Sequence, residues 1–178
     1  LERSDVASLL LLAAQALEEG NPKKARELLA DQPPSGLVEI TRPLLDAWLA
    51  VAEGKGDEAI ALLEELEEEP GLLPLLTLHR VLMLDVLGRQ DEAVAIATSF
   101  LEANENLSLR LVWHLGNLLE RAGQEERAAG LYESFHERNP DNRFLAEELA
   151  LGLSGERPKL VPHAQRGFAE ALFDFASL

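Results

Sequence analysis

The chain has 178 residues, no cysteine and 32 acidic against 16 basic side chains, for a formal net charge of −16. The missing cysteines exclude disulfides and thiolate chemistry and leave the compartment open between cytoplasm and periplasm, while the acidity argues against nucleic acid or an anionic membrane surface as partner, since both are met by clustered Lys and Arg. No apolar run approaches the roughly 20 residues of a membrane span, so no membrane insertion is expected.

Taken in order, the chain reads as a string of helical hairpins. Ser4 or Asp5 can cap a first helix that runs to about Glu19, and Gly20-Asn21-Pro22 turns it into a short second helix ended by Gln32-Pro33-Pro34. Thr41 can cap the next helix, with Pro43 in its first turn and an end near Glu53. Gly54-Lys55-Gly56-Asp57 makes the turn. The following helix sets Ile60, Leu63 and Leu66 against a run of glutamates, Glu64, Glu65, Glu67, Glu68 and Glu69, which reads as a solvated face because it lacks the glycine and alternating oxygens of a calcium loop. The third unit starts near Pro74 and turns at Gly88, and Asp91 can cap its second helix. Ser108 caps the fourth, whose apolar stripe passes through Leu109, Val112, Leu115, Gly116 and Leu119 and, after Gly123, through Ala128, Leu131, Tyr132 and Phe135. Beyond Pro140, Asp141 opens a helix with Phe144, Leu145, Leu149 and Leu153 on one side, and Pro162 starts a last, apolar helix through Ala164, Phe168, Leu172, Phe173 and Phe175.

One spacing unites these units. A turn glycine is followed five residues later by alanine at Gly20 and Ala25, Gly54 and Ala59, Gly88 and Ala93, and Gly123 and Ala128, in steps of 34, 34 and 35 residues. With Trp113, Leu115, Gly116, Gly123, Ala128, Tyr132, Phe135 and Pro140, the fourth unit resembles the tetratricopeptide repeat (TPR) family. The other copies depart from it: Ala13, Ala47 and Val81 stand in for Gly116, and Leu29, Leu63 and Ala97 for Tyr132. The resemblance implies an all-α fold, a right-handed superhelical solenoid of antiparallel helix pairs, with four TPR-like repeats over residues 1–140. Residues 141–178 are expected to be divergent helices that continue or cap it. Because the chain does not begin with Met and its last helix shows no polar capping face, it is read as a truncated segment of a longer repeat protein.

The resemblance also implies a function: a protein–protein interaction scaffold, non-catalytic, that binds a peptide or helix in its concave groove. Family geometry aims Leu10, Leu44, Leu78 and Trp113 into that groove, with Ala14, Trp48, Leu82 and Asn117 as the next row and Arg110, Arg121, His79 and His114 as a basic fringe. Trp48, Leu78, Leu82, Arg110, Trp113, Asn117 and Arg121 are therefore the expected partner-binding residues. The carboxylate clamp that some family members use for chaperone tails is not expected, because only Asn117 matches it and the clamp lysines fall on leucines. An alternative is self-association, as a homodimer through Phe168 and Phe173 of the last helix; another is docking for a catalytic part elsewhere in the parent chain. Asp46 and Arg80, one repeat apart at positions the family pattern makes apolar, are expected to form an inter-repeat salt bridge. Neither a nucleophile elbow nor a phosphate-binding loop occurs. The paired His79 and His114 are a weak basis for a metal site, so no enzyme activity, metal or cofactor is expected.

Overall fold

The computed structural model describes residues 6–30, 36–66, 70–142 and 157–177. It contains the α-helices α1 (Val6–Glu18), α2 (Pro22–Ala30), α3 (Gly36–Ala52), α4 (Gly56–Glu64), α5 (Leu73–Val86), α6 (Gln90–Ala103), α7 (Leu109–Arg121), α8 (Glu125–Arg138) and α9 (Ala164–Ala176), with a 3-10 turn, Pro70–Leu72, before α5. The first eight pair into four hairpins, and no strand occurs among the described residues.

The same local chemistry makes each turn. Gly20, Gly54, Gly88 and Gly123 take φ of 76°, 76°, 77° and 73°, a left-handed backbone that a side chain would strain. In each, the glycine N–H bonds back three residues and the next N–H five, as in Gly20 to the Leu17 carbonyl (3.0 Å) and Asn21 to that of Ala16 (2.8 Å). This pairing closes the end of an α-helix on its own orphan carbonyls. The alanine that follows is fully buried in all four hairpins, and its small side chain lets the two helices approach.

Within a hairpin the helices also match each other by volume. A Cβ on Gly116 would stand 2.3 Å from the Tyr132 ring, so glycine is what makes room for tyrosine. The equivalent pairs are Ala13 with Leu29, Ala47 with Leu63 and Val81 with Ala97, all at most 2% exposed. As the residue on the first helix grows, the one on the second shrinks, and the filled space is conserved. Gly116→Ala should therefore cost about 1–3 kcal/mol by overpacking, and Tyr132→Leu added to it should restore part of the loss. Urea denaturation of the single and double variants measures both; strictly additive losses would refute the pairing.

Three expectations change. α3 begins at Gly36 rather than near Thr41, so Pro43 lies inside the helix; the loss of one N–H donor there is outweighed by a buried face that includes Leu44, Leu45, Trp48 and Leu49. α6 begins at Gln90 with Arg89 at its cap position, which puts Asp91 in the first turn instead of at the cap. Asp46 and Arg80 do not pair with each other: Asp46 meets Arg26 of α2 at 3.0 Å and Arg42 at 3.4 Å, while Arg80 meets Glu64 of α4 at 2.9 Å. The second helix of the preceding hairpin packs against each of these first helices and supplies a nearer counter-charge than the next first helix does. The helix expected from Asp141 through Leu153 lies almost wholly outside the described residues.

The last helix does not lengthen the row of hairpins. α9 packs across α1, α3 and α5, and Phe168, Ala171 and Phe175 join the core cluster that runs from α1 to α7. Val112, Leu119, Ala128, Tyr132 and Phe135 form a separate cluster inside the fourth hairpin.

Candidate functional site

The first helices of the four hairpins, α1, α3, α5 and α7, present one face, and residues 157–176 of the same chain are laid on it. The contact is built around Trp48. Its ring is fully buried, and a Cβ on Gly167 would stand 2.2 Å from it, so α9 can approach only because that position is glycine. The indole Nε1–H donates to His79 Nδ1 at 3.1 Å, with the two rings edge-on, 6.0 Å apart and at 81°. An accepting Nδ1 places the proton of the neutral imidazole on Nε2, which stands 3.1 Å from Asp174 Oδ2 of α9 and donates to it. Burial pushes the His79 pKa down, overcoming the opposing pull of Asp174.

A second group of charges lies beside this chain of hydrogen bonds. Arg110 of α7 pairs with Glu170 and, through Nε at 2.7 Å, with Asp174 Oδ1; its guanidinium also lies 4.3 Å from the centre of the Phe173 ring. Arg166 of α9 reaches Glu170 at 3.2 Å. Burial alone would raise the Glu170 pKa, yet nearby His114 and Arg110 outweigh it and hold the carboxylate at about 2. His114 Nε2 stands 3.7 Å from that carboxylate, too far for a hydrogen bond, and among the described residues neither ring nitrogen of this buried histidine has a hydrogen-bond partner. An unmet buried polar group costs on the order of 1–3 kcal/mol.

Residues 157–161 strap the other end of the face. Asn117 donates to the Pro158 carbonyl at 3.1 Å and accepts from Arg121 Nε at 3.1 Å. Arg121 grips Asp85 with both terminal nitrogens, at 2.5 and 3.2 Å, in the forked geometry that makes such pairs strong. Lys159 adds a contact to Asp85 at 3.2 Å, Arg157 meets Glu120 at 3.2 Å, and Val161 is buried.

The structure thus brings Trp48, Arg110, Asn117 and Arg121 to one face and covers them with the chain's own last segment. Leu78 and Leu82 are buried in the core, and Trp113 is half-buried beside His114. Phe168 is 1% exposed, packed inside the chain, whereas Phe173 is 53% exposed. Gly167, Glu170, Asp174 and Asp85 were not expected at the site. One signal points to the two carboxylates of the last helix: Glu170 and Asp174 stand one turn apart among its apolar residues, where a carboxylate is costly unless paired. Among the described residues no cluster of three or more His, Asp or Glu side chains could hold a metal ion, and no helix is long and apolar enough to cross a membrane.

Helical hairpins of constant turn geometry and repeat length, stacked so that their first helices share one face, define a helical repeat protein of the class built for protein–protein interaction. A family model described as tetratricopeptide repeat matches residues 111–142. That match covers the fourth hairpin, and the other hairpins share its turn geometry and repeat length, so the architecture is that of a TPR-type repeat protein. No curated protein and no solved structure matches the chain.

Proposed function

We propose that this chain is a non-catalytic interaction module whose working surface is the face of α1, α3, α5 and α7, and that this face accepts an amphipathic helix. The observation that supports the reading is α9 itself: an apolar helix lies across three first helices, with Gly167 against Trp48 and its acidic residues on Arg110 and His79. Such seating is the helix-in-groove mode of recognition carried out within one chain. A partner helix competes with α9 for the face, and the apparent affinity falls by the fraction of time that α9 occupies it.

The test uses the 178-residue chain carrying Gly167→Leu. The added side chain cannot fit against Trp48, so α9 is displaced while the hairpins keep their own cores. A labelled peptide with the sequence of residues 157–177 should bind this variant at least about tenfold more tightly than wild type, as measured by fluorescence anisotropy. Undetectable binding to a variant that keeps its helical circular dichroism would refute the reading.

A further inference from the structure

We propose that the helix this face selects is acidic, carrying two carboxylates one turn apart and a glycine three residues before the first, and that Arg110, His79 and His114 read those carboxylates. The inference rests on the groove reading above and adds the chemistry of the occupant.

Three basic groups from two successive hairpins converge on the path of α9: His79 from α5, and Arg110 and His114 from α7. Asp174 of the seated helix meets both His79 and Arg110, while Glu170 meets Arg110 and stands 3.7 Å from His114. A spacing of four residues puts both carboxylates on one face of the helix, and the cradle is as long as that spacing. A helix with amides at these positions would leave a partly buried guanidinium without its counter-charge, while one with lysines would face like charge at close range. The glycine requirement follows from the 2.2 Å approach of a Cβ to the Trp48 ring.

The fit of α9 is incomplete at His114, which leaves room for another helix to fit the cradle more closely. Among the described residues neither ring nitrogen of the buried His114 has a hydrogen bond, and Glu170 stops 3.7 Å from it, within ion-pair range only. An acidic helix whose first carboxylate lay within hydrogen-bond reach of Nε2 would satisfy a group that α9 leaves unsatisfied. It would then hold the face better than the resident does. The chain's net charge of −16 repels acids at long range, so the preference arises from these short contacts and not from steering.

The experiment compares two peptides on the 178-residue chain carrying Gly167→Leu: residues 157–177 with Glu170 and Asp174 intact, and the same peptide carrying Glu170→Gln and Asp174→Asn. The acidic peptide should bind at least about tenfold more tightly, and adding Arg110→Ala to the protein should abolish most of that advantage. Equal binding of the two peptides would overturn the charge preference while leaving the groove reading intact. Binding of neither would remove the groove reading and this inference with it. If Gly167→Leu does not fold, amide exchange of α9 in the wild-type chain decides: excess acidic peptide should speed it and neutral peptide should not, and an equal effect or no effect of the two peptides overturns the proposal.

Discussion

Trp48→Ala should lower the folding stability by about 3–5 kcal/mol, the range for removing a large aromatic from a packed core. The ring is fully buried between the hairpins and α9, and the glycine of α9 is seated directly on it. Truncation opens a cavity on both sides of this contact. It also takes the indole donor from His79, whose tautomer that donor sets, so the hydrogen bond onward to Asp174 loses its fixed orientation. Trp113→Ala is the matched control: Trp113 is half-buried where Trp48 is fully buried, and its loss should cost less than half as much. Guanidinium denaturation of the two variants gives the comparison. A Trp48 cost under about 1 kcal/mol would show that the ring is not held between α3 and α9.

Acid should loosen α9 in two stages. His79 is buried with its pKa pushed below the ordinary value of 6.5, so the unfolded chain takes up a proton that the folded chain resists. Its contribution is complete above about pH 6.5 and falls as the pH drops below it. Glu170 is held at about 2 against an ordinary 4.5. Its contribution is present above pH 4.5 and is lost between there and about 2. Allowing for solvent screening at the partly exposed Arg110, the Glu170 stage is worth about 2 kcal/mol. The groups facing this pair are Trp48 on α3, His79 on α5, Arg110 and His114 on α7, and Arg166 and Asp174 on α9. Urea midpoints at pH 7.5, 5.5 and 3.5 should fall at each step, and Glu170→Gln should flatten the second step while sparing the first. A midpoint that stays constant from pH 7.5 to 5.5 would remove His79 from the account.

The hairpins were legible in the sequence because each turn demands a residue that tolerates positive φ and each crossing demands a small one. Those demands recur as a glycine and an alanine five apart, and Gly20, Gly54, Gly88 and Gly123 all adopt the backbone that the spacing implied. The worn positions also had a meaning that one copy alone hides, since Ala13, Ala47 and Val81 look like lost glycines until they are set beside Leu29, Leu63 and Ala97. The helix start at Gly36 was not legible, because a proline reads locally as a boundary and only packing shows that the helix passes through it. Asp46 and Arg80 misled for a related reason: periodicity tells which residues occupy equivalent places, but not which neighbour of opposite charge is nearest. At the site, periodicity brought out Trp48 and Arg110. It was silent on Gly167, Glu170 and Asp174, because they lie in the segment where the repeat has ended and their partners are about 60 to 120 residues away in the chain.

An open row of hairpins behaves as a one-dimensional array in which each unit feels only its neighbours and the ends can fray singly. The seating of α9 across α1, α3 and α5 joins the last helix to the first and turns that open array into a closed loop of contacts. Loss of any one hairpin on the circuit then weakens the docking of α9, and loss of α9 releases support from three hairpins together. Occupancy of the face is therefore coupled to the cooperativity of the whole chain, so a helix that takes the place of α9 would change how the protein melts as well as what it holds.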